Sequence, residues 1–462
     1  DRNFDTNTID VVYQIDQGAR VYIESINIVG NDRTRDHVIR REFDISEGDP
    51  LNQVMIQKTK RRLESLGFFE SVEITTRQGS SPDRVVVVVR VVDKATGEFS
   101  IGGGYSSSSG PLGEISFSER NFLGRGQYLK VAAGFGTEET NYSLSFTEPY
   151  FLGYRISAGF DIFTSSQDAT DNRQYGIDST GGVIRFGIPL TEKLNSSVFY
   201  TFVNQETVIE GKAGRADTCG NPNIQGDCNN ELSAALDRNL EWTKSGFGYS
   251  LTYNDLDNTR QPTDGIYLTM SQTFFGAGGD AGYVQTDGRA VSYTKLSDEF
   301  DIVGMLRARG GMNLPYSDGD GYRTQDNYFQ GQRDIRGFDS YGFGPRDPVT
   351  GDNLGGQYYW NATAEISFPM PAIPESIGIR GAFFADAGQL WGVDSASRDA
   401  ILAANPNVST EEIDDNTLRA SVGASVIWAS PFGPLRFDYA IPVSSAPWDE
   451  TREFNFGVST AF

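Results

Sequence analysis

A search for reactive side chains along the 462 residues ends quickly. The one histidine, His37, lies near the N-terminus, so a Ser-His-acid or Asp-His hydrolase centre would have no base in the rest of the chain. It reads as a partly exposed helix residue. Cys219 and Cys228, nine positions apart in TCGNPNIQGDCNN, are the only cysteines, too few ligands for zinc. They suit a disulfide in an oxidising compartment, with two free thiols in a loop as the plain alternative. No GxxxxGK[ST] is present to cradle a phosphate. Ser317 to Tyr322, SDGDGY, carries part of a calcium loop but lacks the acidic ladder and closing Glu, so it reads as a solvated loop tip. Carboxylates are abundant, yet nothing singles out a glycosidase pair. No catalytic residue, metal or cofactor is expected.

What remains is an arginine. Residues 331–344, GQRDIRGFDSYGFG, sit in a loop spanning 312–356, far longer than the usual ~4–6-residue connection. Disordered segments are poor in aromatics, but this one carries Phe338, Tyr341 and Phe343. Arg336 lies between Ile335 and Gly337, and a guanidinium fork can grip carboxylates bidentately. Glycines at 331, 337, 342 and 344 let the backbone double back.

The elements that must position this loop follow from composition and periodicity. With 52 Gly, 30 Phe, 21 Tyr and a net charge of −23, the chain lacks the basic face of a nucleic-acid binder. No window is apolar for 18 or more residues, so no membrane-spanning helix is expected. A closed β-barrel is the other fold that satisfies every backbone group in lipid. The polar start Asp1-Arg2-Asn3 shows no signal peptide, as in a processed or truncated chain or a cytosolic protein. Val11 to Ile15 reads as the last strand of a preceding module, leaving 1–19 as its remnant.

Residues 20–93 mix periods. A strand over 21–29 precedes helices at 36–43 and 51–66 and strands at 72–76 and 84–92, a small α+β module of order β-α-α-β-β. From 94 to 462 alternation with period two dominates: Leu435, Phe437, Tyr439 and Ile441 interleave with Arg436, Asp438 and Ala440. Sixteen segments emerge, at 98–106, 113–120, 127–136, 141–149, 154–163, 173–187, 194–204 and 241–254, then 266–275, 282–296, 299–311, 357–368, 377–386, 418–429, 435–441 and 452–462. Short turns alternate with long loops at 205–240, 312–356 and 387–417, the arrangement of a transmembrane barrel of antiparallel strands. Phe122-Leu123-Gly124 and Phe151-Leu152-Gly153, 29 residues apart, fall in two short turns. A short helix is expected near 397–404 inside the last of those loops.

Parity then places side chains. In 358–368 the outward set is Trp360, Ala362, Ala364, Ile366 and Phe368, leaving Asn361, Thr363 and Glu365 in the lumen. In the next strand Ile377, Ile379 and Phe383 face out, and Arg380, Phe384 and Asp386 face in. Arg336 either folds into the barrel to meet Glu365 and Asp386 or projects from an exposed loop tip. Parity alone leaves both open.

Ile335-Arg-Gly-Phe338 resembles the [VI]RG[FY] loop motif of the POTRA-plus-barrel superfamily of outer-membrane assembly factors. SINIVGNDRTRDHVIRRE (25–42) and LESLGFFESVEI (63–74) are similar to its POTRA signature. FFADAG (383–388), SPFGPLRFDYAIPV (430–443) and the terminal FNFGVSTAF resemble its late strands, so the likeness covers nearly the whole chain. The resemblance implies that 20–93 is the membrane-proximal POTRA domain, in the periplasm, and 94–462 a 16-stranded barrel in the outer membrane. It implies that Arg336 pairs inside the lumen with carboxylates at the positions of Glu365 and Asp386. It further implies insertion of unfolded β-barrel clients into outer-membrane lipids without ATP, with lipoprotein subunits and periplasmic chaperones as partners.

The first barrel strand reads Phe99-Ser100-Ile101-Gly102-Gly103-Gly104, three glycines without packing side chains. The last contains Phe456 and Gly457 and closes on Phe462. A seam between these two strands is expected to part and expose an edge that templates a client strand. Close packing of the glycines against the internal loop is the competing explanation. A translocation-and-assembly or two-partner-secretion transporter of the same superfamily is the alternative function.

Overall fold

The computed structural model describes residues 2–3, 8–9, 20–106, 110–168, 175–208, 241–259, 261–317, 321–348, 353–371, 373–404, 409–430 and 433–458. Cys219, Cys228, Phe462, Asp318–Asp320 and the 11–15 segment lie outside them. The chain divides into two compact units, one of residues 1–97 with 119–127, the other of 98–118 with 128–462.

In the first unit β1 (Tyr22–Val29), α1 (Asp36–Arg40), α2 (Gln53–Ser65), β2 (Phe69–Gln78) and β3 (Arg84–Asp93) follow one another. The strand order is β1-β3-β2, with β1 parallel and β2 antiparallel to the central β3. β3 is central because its run of valines can be covered: Val87, Val89 and Val91 are buried with Ile23, Ile39 and Leu63. Asn52 caps α2 by accepting from the Val54 and Met55 N–H groups (3.0 and 3.3 Å). The helix buries Ile56, Thr59 and Leu63, one face at helical spacing. His37 is exposed on α1.

In the second unit sixteen antiparallel strands close on themselves. They are β4 (Gly97–Ser106), β5 (Gly110–Phe122), β6 (Gln127–Gly136), β7 (Glu139–Glu148) and β8 (Ser157–Gln167). β9 (Gly176–Pro189), β10 (Leu194–Val208), β11 (Glu241–Asn254), β12 (Gly265–Gly279), β13 (Tyr283–Ser297) and β14 (Ile302–Pro315) continue the wall. β15 (Tyr358–Pro369), β16 (Ile379–Trp391), β17 (Arg419–Ser430), β18 (Gly433–Ser444) and β19 (Phe454–Val458) complete it. Each strand pairs with its sequence neighbours, and β19 meets β4.

Most strands outrun their alternating segments. β10 has 15 residues, roughly 50 Å at ~3.4 Å per residue, whereas ~9–11 tilted residues span a bilayer. Beyond that depth an outward residue need not be apolar, so the alternation fades while the ladder continues. Two expectations shift further. Ile377 lies in a 3-10 turn before β16, not on the strand. The last strand does not begin at 452: Thr451–Arg452 instead pairs with Gly337–Phe338 of the long loop. In the loop after β16, helices α3 (Ser395–Ala404) and α4 (Thr410–Ile413) are present, one more than expected.

The FLG repeat is conformational as well as lexical. Leu123 and Leu152 both have φ near +55°, and each is followed by a left-handed glycine, Gly124 and Gly153. A leucine is rare in that region of backbone space.

Candidate functional site

The loop between β14 and β15 is an interior structure. Ile335, Phe338 and Phe343 are fully buried and pack with Leu390 from β16. Phe338 and Phe343 meet edge to face at 5.1 Å. Alternation along β16 turns Phe384, Asp386, Gly388 and Leu390 to the same inner face, so the loop lies on that wall.

Arg336 sits within this cluster, 8% exposed. Its Nε and Nη2 donate to the two oxygens of Asp386 (2.7 and 2.8 Å), and its backbone N–H donates to Asp386 Oδ2 (3.1 Å). Nη1 donates to Glu365 Oε2 at 2.8 Å. The guanidinium carbon lies 3.4 Å from the ring centroid of Phe384. A planar cation stacked on an aromatic face and forked onto a carboxylate is an arrangement lysine cannot copy.

Four residues extend the cluster beyond the sequence-derived set. Arg436 of β18 donates to Glu365 Oε2 (2.6 Å) and to Asp438 Oδ1 (2.8 Å), and Asp438 lies 3.8 Å from Arg336. Ser425 of β17 donates to Asp438 and accepts from Arg436. Period two on β18 already puts Arg436 and Asp438 on the polar face, but only the cross-strand register shows that they reach Glu365. Arg307 brings a third positive charge: it donates to Thr363 Oγ1 (3.0 Å), and Thr363 stands directly opposite Asp386. Burial of three carboxylates is thus matched by three guanidinium groups.

The β4–β19 junction closes the barrel. Among the described residues one Cα pair, Gly457 with Ser106, joins the two strands. The register therefore sets Gly457 against Ser106, not against Gly102. Tyr105 stacks on Phe456 across the junction at 6.4 Å, and Phe456 stacks on Phe437 at 4.6 Å. Phe99 and Ile101 point outward, 65% and 71% exposed. Among the described residues, a Cβ built on Gly102 or Gly103 would meet β5 carbonyl oxygens, at 3.9 and 3.8 Å, and one on Gly457 would meet no atom within 4 Å. No described atom of the internal loop lies within 4 Å of a Cβ at Gly102 or Gly103.

The family profiles and relatives agree with this architecture. The Omp85 superfamily domain matches residues 121–462, and the POTRA profile, surface antigen variable number repeat, matches 21–94. The outer membrane protein assembly factor BamA of Neorickettsia risticii is 30% identical over 98% of the chain and 57% of its own length. BamA of Neisseria meningitidis serogroup B is 28% identical over 100% of the chain and 59% of its own. The chain thus spans under two thirds of these curated relatives. The crystal structure of BamA from Haemophilus ducreyi lacking POTRA domains 1-3 superposes with a TM-score of 0.80 at 27% identity, covering 99% of this chain and 88% of that one. A sixteen-stranded barrel following a three-stranded α/β unit, with a profile match over most of its length, places the chain in the Omp85 superfamily.

Proposed function

We propose that the protein assembles β-barrel proteins in the outer membrane, with its α/β module in the periplasm. The named role of the BamA relatives supports the process and the place. The working edge is the β4–β19 junction, and the observation that carries this reading is the Gly102–Gly103 run of β4, where a Cβ would reach only β5 carbonyl oxygens among the described residues. Each unpaired strand edge offers a row of N–H and C=O groups, a template that an incoming strand can pair with whatever its side chains. Backbone exchange of this kind needs no nucleotide. Unfolded barrel clients, outer-membrane lipids, lipoprotein subunits and periplasmic chaperones are its partners in this reading.

Arg336, with Ile335, Gly337 and Phe338, then serves to hold the internal loop against β15, β16 and β18, keeping the wall next to the junction in register while β4 and β19 part.

The test is a reversible lock. In C219S/C228S protein reconstituted in liposomes, S106C/G457C joins a directly opposed pair, whose spacing suits a disulfide. Oxidation should halt folding of an added barrel client and reduction should restore it. Full-rate assembly with the bond closed would overturn the templating edge.

A further inference from the structure

A second buried arginine stands one layer from the first. Arg419 opens β17 on the lumenal face, two residues from Ser421, the cross-strand partner of Asp386. It is 0% exposed. Nε and Nη2 donate to the two oxygens of Asp449 (both 3.0 Å), Nη2 also donates to Asp415, and Nη1 donates to the carbonyls of Thr417 (2.8 Å) and Asp415 (3.5 Å). All five N–H groups are used. The guanidinium also lies 5.8 Å from the ring of Phe343 in the internal loop.

Asp449 belongs to the connection that delivers the chain into β19. Its side chain is 0% exposed, and it folds back to accept from the Ala446 N–H at 2.7 Å. From there the connection lies down on the internal loop as an added strand. The Glu450 N–H donates to Gly342 O (2.8 Å), the Asp339 N–H donates to Glu450 O (2.9 Å), and Arg452 pairs with Asp339 at 2.9 Å. Two residues later β19 begins.

We propose that Arg419 is a positioning residue for the seam: by gripping Asp449 it seats residues 446–453 on the internal loop and so fixes where β19 enters the wall. This rests on the reading of β4–β19 as the working edge. A lysine keeps the charge but has three donors on a point-like head, so it cannot hold Asp449 while also serving Thr417 and Asp415. A fork-shaped grip is what the position requires.

The test follows backbone amide exchange in the protein in nanodiscs, with R419K, D449N and, as a control at the Arg185–Asp161 ion pair between β9 and β8, R185K. R419K and D449N should speed exchange at Asp339, Glu450 and Phe454–Val458 at least tenfold, and leave β9–β12 within twofold of the parent. R185K should leave β19 unchanged. If R419K does not fold, the near-isosteric D449N carries the test; if neither closes a barrel, the role is global and the proposal falls. Unchanged exchange at 450–458, or equal acceleration all round the wall, overturns it too. Client assembly is read separately: a loosened β19 with unaltered assembly rejects the working edge but leaves the anchor standing.

Discussion

Arg336 is held by four hydrogen bonds to two carboxylates and by the face of Phe384, so its removal strands charge in a buried place. Breaking a buried ion pair from one side costs about 3–5 kcal/mol. R336A should therefore lower barrel stability by that order in a denaturant titration, and R336K should recover only part, since it cannot fork onto Asp386 or stack on Phe384. Native-like unfolding of R336A would show the pin to be unnecessary. A second titratable group is informative outside the wall. Asp257, in the turn between β11 and β12, accepts from Thr263 Oγ1 (2.7 Å) and from the Thr263 and Asp264 N–H groups, which lower its pKa to about 2. Those bonds favour the charged form, so their contribution is complete above the ordinary carboxylate range near ~4 and disappears as pH falls through about 2. A carboxyl-carbon NMR titration should give that low midpoint, and T263V should raise it. At this scale the sequence was half legible. The motif and parity named Arg336, Glu365 and Asp386 because alternation is a local property. Arg436 and Asp438 fall on the polar face of their strand, but their place in the cluster, like that of Arg419, depends on register and on a loop crossing the lumen.

Among the elements, β4 brings two glycines with no side chain to pack, Gly102 and Gly103, close to the junction. Gly102 and Gly103 have ordinary backbone angles and room for a Cβ, so nothing steric demands glycine there. Each such glycine leaves a strand looser by about 0.5–1 kcal/mol. G102V and G103V should fold, slow amide exchange within β4 by about two- to fivefold each, and depress client assembly; faster exchange in β4 would contradict this account. Gly337 is the opposite case: its φ is +94° and a Cβ would come within 3.3 Å of Ala440. G337A should strain the loop and shorten the thermal lifetime of the barrel. Strand existence was readable throughout, since each wall segment shows polar and apolar faces. Strand ends were not, because above the bilayer the outward face no longer has to be greasy. Nor was the pairing of Thr451–Arg452 with Gly337–Phe338, which joins residues over a hundred positions apart.

For the whole molecule, the number of strands, their sequence-neighbour pairing and the α/β unit ahead of them follow from periodicity and from lipid's demand that every backbone group be paired. What periodicity cannot supply is how firmly each seam of the cylinder is sewn. The long ladders of β9 to β12 and the glycine run of β4 predict a gradient: in amide exchange on the intact protein, β9 to β12 should be the last strands to open and β4 and β19 the first. Uniform protection around the wall would argue against a preferred line of parting.

The glycine strand and the clasped loop fall on opposite sides of that line. β18, β17, β16 and β15 are buttressed from within by Arg336, Arg436 and Arg419, while β4 brings Gly102 and Gly103, without side chains, to the other side. If the proposed parting occurs, such a doorway would swing on one jamb only, the arginine-backed post staying plumb while the pliant post yields to the guest.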